Sequence, residues 1–128
     1  MTFRAVAAVF LLSLSTITAR AAASAAEENA KHFGALSGLS VAVAQAMPGE
    51  LYGFRPHPES TDFGQLMSHI ATTNYQFCAG LKDSPPPSMP SATDKDAVVK
   101  FLSDSFEYCS LVIPNLTGEQ LNNPAQLS

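Results

Sequence analysis

Residues 61–81, TDFGQLMSHIATTNYQFCAGL, constrain the fold more than any other stretch of this chain. Phe63, Leu66, Met67, Ile70, Asn74, Phe77 and Leu81 recur at the spacing of one helix face. The segment therefore presents a broad, mostly apolar stripe that must be covered by something else. Thr61 or Asp62 supplies a short oxygen side chain for the free amides of the first turn. Gln65 stands three residues beyond Asp62, the spacing of a capping box. Inside this helix lies His69, beside Ile70. It is either a metal ligand or an ordinary partly buried side chain, and most of the functional question turns on which.

Prolines cut the rest of the chain into segments. Residues 27–47 predict a first helix that ends at Pro48-Gly49, since proline cannot continue the hydrogen-bond ladder. Its expected inward face is Phe33, Leu36, Leu39 or Ser40, Val43 and Met47. Gly34 and Gly38 weaken it by about 1 kcal/mol each relative to alanine; they are either tolerated there or used for a close helix contact. His32, near its start, reads as exposed. Residues 50–60, ELYGFRPHPES, are too apolar for a free linker, and Leu51, Tyr52 and Phe54 are expected to pack across the end of a bundle. His57, between Pro56 and Pro58, reads as a surface residue. Residues 82–93, KDSPPPSMPSAT, exclude helix and central strand and form a crossover or surface loop. A third helix follows over residues 94–116, with Val98, Phe101 or Leu102, Ser105 or Phe106, Cys109, Val112 or Ile113 and Leu116 inward, and Pro114 either kinking or ending it near Val112 or Ile113. The tail from Asn115 is polar and low in hydrophobic content. No segment reads as a strand, so the predicted class is all-α.

The amino terminus has a different character. Arg4 precedes an apolar run over residues 5–14, and small residues lead to Ala23-Ser24-Ala25. This is the pattern of a secretory signal over residues 1–25, leaving residues 26–128 as one helical domain. The unbroken apolar run is shorter than the roughly 20 residues a membrane-spanning helix needs. The expectation is a periplasmic or secreted protein with no membrane attachment after cleavage. The formal net charge is −4, and cleavage would remove Arg4 and Arg20, making it more negative. Such a chain has no basic patch to neutralise phosphates, which argues against a nucleic-acid partner. Two cysteines, Cys78 and Cys109, are too few for a disulfide scaffold, although one bridge is compatible with export. They form no CxxC pair, and no serine has a base at a recognisable spacing.

Met47-Pro48-Gly49-Glu50-Leu51-Tyr52, Phe54-Arg55-Pro56 and Phe63-Gly64-Gln65-Leu66-Met67-Ser68-His69-Ile70-Ala71, continuing through Asn74-Tyr75-Gln76-Phe77-Cys78, resemble the DinB-like family. A weaker likeness persists at Phe106-Glu107-Tyr108-Cys109, so the resemblance spans roughly residues 33–117. It implies an up-down-down-up four-helix bundle. It also implies a divalent metal, Zn or Ni, held by one histidine of the second helix and two of the fourth. His69 matches the first of these, and no histidine follows it. On this reading the bundle is truncated to three mature helices, lacks the fourth and has an incomplete metal site. The function so implied is that of an exported bundle protein without independent catalysis. The alternative is a divalent-metal-dependent hydrolase or thiol transferase completed by a missing C-terminal helix or a partner chain. A bundle with an uncovered groove also leaves a homodimer open. The family topology makes the second and third helices parallel, which implies a Cys78–Cys109 disulfide; two buried thiols are the other option.

Overall fold

A computed structural model of the chain describes residues 25–91 and 94–122. The signal expected over residues 1–25 lies, but for its last residue, outside the described residues. Helix α1 is helical over residues 25–46. A 3-10 turn, Gly49–Leu51, leads through a loop to α2 (Phe63–Leu81), and α3 runs over Lys95–Val112. A second 3-10 turn, Ile113–Asn115, precedes α4 (Gly118–Asn122). No strand occurs among the described residues.

The expected truncation to three mature helices is overturned by α4. Its origin is local: Gln120 N–H donates to Thr117 Oγ1 (3.2 Å) and Thr117 N–H to Gln120 Oε1 (2.9 Å), a reciprocal cap that starts a helical turn. Gln120 Nε2 then donates to the Leu81 carbonyl at 2.8 Å, anchoring the new turn to the end of α2. Hydrophobic content was a poor guide here, because the start of this helix is written in hydrogen-bonding groups.

Helices α2 and α3 form the centre and run parallel. Asn74 Nδ2 donates to Ser105 Oγ at 3.1 Å, and Cys78 is bonded to Cys109 one turn further along; both pairs are separated by 31 residues. A constant difference in residue number means that the two chains advance in the same direction at the same height. Buried Met67 and Ala71 on α2 keep the same offset to buried Val98 and Leu102 on α3. The disulfide therefore forms across a Cα separation of 5.5 Å, well inside bridging range. Cys109 Sγ also lies 3.2 Å from the Asn74 carbonyl oxygen; a bridged sulfur has no proton to donate, so this is packing. Fully buried Ser105 satisfies its hydroxyl by donating to Leu102 O at 2.7 Å. Tyr75 lies against Phe101 and Tyr108, with ring centroids 5.8 and 5.3 Å away.

A parallel pair needs a long return path. Helix α2 stops in a Schellman arrangement, with Ser84 N–H on Ala79 O (3.0 Å) and Asp83 N–H on Gly80 O (3.1 Å). Asp83 takes the left-handed position at φ 51°, where an aspartate is tolerated better than most residues. The proline-rich crossover then runs back, with Met89 packed on the core.

Helix α1 lies antiparallel over this pair, and its end is fixed from two sides. Tyr52 Oη donates to Ala44 O at 2.6 Å. Lys95 Nζ, on the first turn of α3, donates to Gln45 O (2.7 Å) and Met47 O (2.9 Å). Carbonyls that a helix end would leave unpaired are thus met by a buried hydroxyl and by an ammonium at the negative end of the dipole. Phe33 packs on Phe106 with centroids 5.3 Å apart. The observed inward positions are Phe33, Val41, Ala44 and Met47, while Leu36, Leu39 and Val43 are 59, 65 and 46 % exposed. The helix is therefore rotated from the expected orientation. Because it is apolar on several sides, its sequence defines no single face, and the latches at Ala44 and Gln45 set the rotation instead.

Candidate functional site

The segment before α2 carries part of the resemblance, and the structure gives it a mechanical role. Asp62 is the N-cap: Gln65 N–H donates to Asp62 Oδ1 (2.7 Å) and Asp62 N–H to Gln65 Oε1 (3.3 Å). Arg55 buttresses this box, donating from Nη2 to Asp62 Oδ2 (3.1 Å) and Gln65 Oε1 (3.2 Å) and from Nη1 to Ser60 O (2.7 Å). Gly64 permits the close approach of Tyr52: a Cβ there would stand 3.3 Å from the Tyr52 ring and 3.4 Å from its carbonyl oxygen. That carbonyl accepts from Gly64 N–H at 2.8 Å. The FRP and FGQ triplets thus encode a clamp between loop and helix.

His69 stands one turn beyond Gln65. It lines a hollow of about 480 Å³ with Tyr52, Asp62, Gln65, Ser68 and Thr72. Its side chain is exposed, and no hydrogen bond or ion pair engages its ring among the described residues. Ser68 Oγ, in the same hollow, is buried without a hydrogen-bond partner. Asp62, the carboxylate of this hollow, is already committed to the helix cap and to Arg55. The Tyr52 hydroxyl is pushed above its ordinary value, first by burial and then by Asp96. It stays protonated at neutral pH, and its proton is used on Ala44.

The other histidines are elsewhere. His32 Nε2 lies 3.1 Å from Glu28 Oε1 on exposed α1. His57 Nδ1 accepts from Glu59 N–H at 3.3 Å in the proline-flanked loop. Among the described residues no three His, Cys, Asp or Glu side chains gather closely enough to hold a metal ion. A zinc site needs three or four protein ligands; the intramolecular geometry around His69 offers one imidazole.

A second concavity was not foreseen. Between α1 and α2 runs a groove of about 490 Å³, lined mainly by Phe33, Leu36, Phe77, Cys78, Leu81 and Leu116, with His32, Asn74 and Gln120 among its polar residues. Its signal in the sequence is an absence of charge. No Asp, Glu, Lys or Arg occurs from Phe33 to Met47 or from Phe63 to Leu81.

Residues 35–128 match the family described as the DinB superfamily, a span that runs past the resemblance carried by the motifs and includes α4. No curated protein and no solved structure matches the chain.

Proposed function

The chain belongs to the DinB superfamily, and from that premise we propose that it is an exported helical-bundle protein that works by binding and does not catalyse on its own. The supporting observation is the isolation of His69: exposed, unpaired among the described residues, and in a hollow whose carboxylate, Asp62, is already engaged by Arg55 and the α2 cap. A lone imidazole binds a divalent cation too weakly to retain it, so no metal is held there to orient or polarise a substrate. Export rests on the signal pattern of residues 1–25 and is supported by the Cys78–Cys109 bridge, which persists in an oxidising compartment, periplasmic or extracellular. No described helix is long and apolar enough to cross a membrane.

Metal analysis of the purified protein after incubation with Zn or Ni tests the reading. The expected result is substoichiometric metal that is the same in the parent and in His69→Ala. One tightly held metal per chain, lost in His69→Ala, would replace this reading with a hydrolase or thiol transferase whose ligands a partner chain completes. The open position of the His69 ring is the feature that favours that second reading. Intact mass of the exported product checks the other half, with a chain beginning at Ala26 expected.

A further inference from the structure

A serine inside a helix commonly turns its hydroxyl back onto a carbonyl of the preceding turn. Ser105 and Ser110 on α3 do so, donating to Leu102 O and Phe106 O, each at 2.7 Å. Ser68 on α2 does not. Its Oγ is buried without a hydrogen-bond partner, which costs stability unless something else uses the group. Ser68 belongs to the wall of the hollow that holds His69. Gln65, Ser68, His69 and Thr72 follow one another at helical spacing, so a single face of α2 brings all four to this hollow. The remaining wall is Tyr52, Gly53 and Asp62 on the side of the loop, and buried Val98 of α3. The clamp of Arg55 on Asp62 and Gln65 holds loop and helix together, so the concavity is shaped before anything enters it. Its volume of about 480 Å³ lies within the range of small-molecule sites, about 300–1,000 Å³.

We propose that this hollow binds a small uncharged molecule rich in hydroxyl groups, a sugar or polyol. The inference rests on the reading that the chain works by binding, and it names what is bound. Charge selects against ions. No lysine or arginine lines the hollow, so an anion meets no counter-charge there and is repelled by Asp62. A cation finds Asp62 with one oxygen on the Gln65 amide and the other on Arg55. Hydrogen-bonding capacity selects the hydroxyl. Ser68 and Thr72 each offer a group that donates and accepts, and a neutral imidazole donates at one nitrogen and accepts at the other. None of these three side chains makes a hydrogen bond among the described residues. Gln65, with its Oε1 taken by Asp62 N–H and Arg55, keeps its amide donors. Neighbouring hydroxyls on one carbon frame also give and take at the same atom, and so match such a row; an amide offers the two capacities on separate atoms. Val98 and Tyr52 give the hollow an apolar share for the C–H groups of that frame. On binding, Ser68 Oγ gains the partner it lacks by a turn about its single side-chain torsion.

The test is a titration of the protein recovered from expression of the full chain, held in chelator, and followed by the NMR shifts of its backbone amides. Glucose and mannitol should move the amides of Gln65, Ser68, His69 and Thr72, with dissociation constants on the order of 1–10 mM. Glucuronate, glucosamine and N-methylacetamide should each bind at least about tenfold more weakly. Ser68→Ala should weaken glucose binding at least about tenfold without lowering the melting temperature, because the hydroxyl has no partner in the fold to lose. Thr72→Val should weaken it in the same direction. No shift with either glucose or mannitol up to about 100 mM overturns the proposal. So do shifts confined to residues outside the hollow, equal binding of a charged sugar or of the amide, and parental affinity in Ser68→Ala. The two readings fail separately: a metal held through His69 shows in the metal analysis, whereas missing sugar binding shows in the metal-free titration.

Discussion

The α2–α3 seam and the α1–α2 seam are built from the same kinds of residue and end in opposite conditions. Between α2 and α3, four successive turns meet at a fixed offset, with a polar bridge and a disulfide in register. Between α1 and α2, the apolar side chains stop short of one another and leave a groove. The first seam closes because each helix offers a stripe of the right width, and a hydroxyl, an amide and two thiols fall at matching heights. The second stays open because α1 is held by its end: Tyr52 and Lys95 fix its rotation through carbonyl oxygens and turn Leu36, Leu39 and Val43 outward. Hydrophobicity supplies the tendency to pack, and directional bonds decide which face packs.

This contrast can be broken at several points. The largest effect belongs to the closed seam. Replacing both Cys78 and Cys109 by alanine removes a bridge that closes a loop of 31 residues, and chain entropy puts the loss near 3–4 kcal/mol. Urea denaturation should show a much lower midpoint, with α2 and α3 losing structure together. Next comes the latch. Lys95→Met leaves two carbonyls at the end of α1 without their ammonium, at a cost of about 1–2 kcal/mol. Hydrogen exchange should then rise in α1 while the α2–α3 seam keeps its protection; equal loss in both would mean that the helices are not independently held.

A smaller effect follows from Tyr52. Burial raises its pKa above the ordinary 10.0, so the folded state favours the protonated phenol. That contribution is complete below pH 10 and is lost as pH rises through the folded value. Thermal stability should fall on the alkaline side, and Tyr52→Phe should reduce that pH dependence, leaving the share of Tyr75, which burial raises likewise, while lowering the neutral-pH baseline by about 1 kcal/mol. Smallest, and of opposite sign, are Gly34→Ala and Gly38→Ala. Nothing stands within 4 Å of a Cβ at either position, so each should stabilise by roughly 0.5–1 kcal/mol, read as a rise in melting temperature.

The closed seam was legible in the sequence and the open one was not. Val98, Cys109 and Val112 announce themselves on α3 because that helix has charged positions to define its other side. Asp62 and Gln65 were readable as a cap, since capping is written in adjacent residues. The Cys78–Cys109 bridge became readable only through the parallel order implied by the family resemblance. Helix α1 gave no such purchase, because Leu36, Val41 and Val43 point in different directions with equal hydrophobicity. Helix α4 was hidden by a hydrophobic criterion, although Thr117 and Gln120 stand at capping-box spacing. Arg55 belongs to a sequence fingerprint, but its role depends on three-dimensional proximity to Asp62 and Gln65. His69 was readable as a position; its exposure and its lack of neighbours depend on segments far away in sequence.

The sulfur bridge also changes what a cut backbone would mean. Residues 82–91 lie on the path between Cys78 and Cys109, inside the ring that the bridge closes. A peptidase severing that path would turn one polypeptide into two that stay joined, with their register still set by Asn74 and Ser105. Such a nicked molecule would migrate as a single species until reductant is added, and its crossover is the natural place to open the chain or splice in foreign sequence.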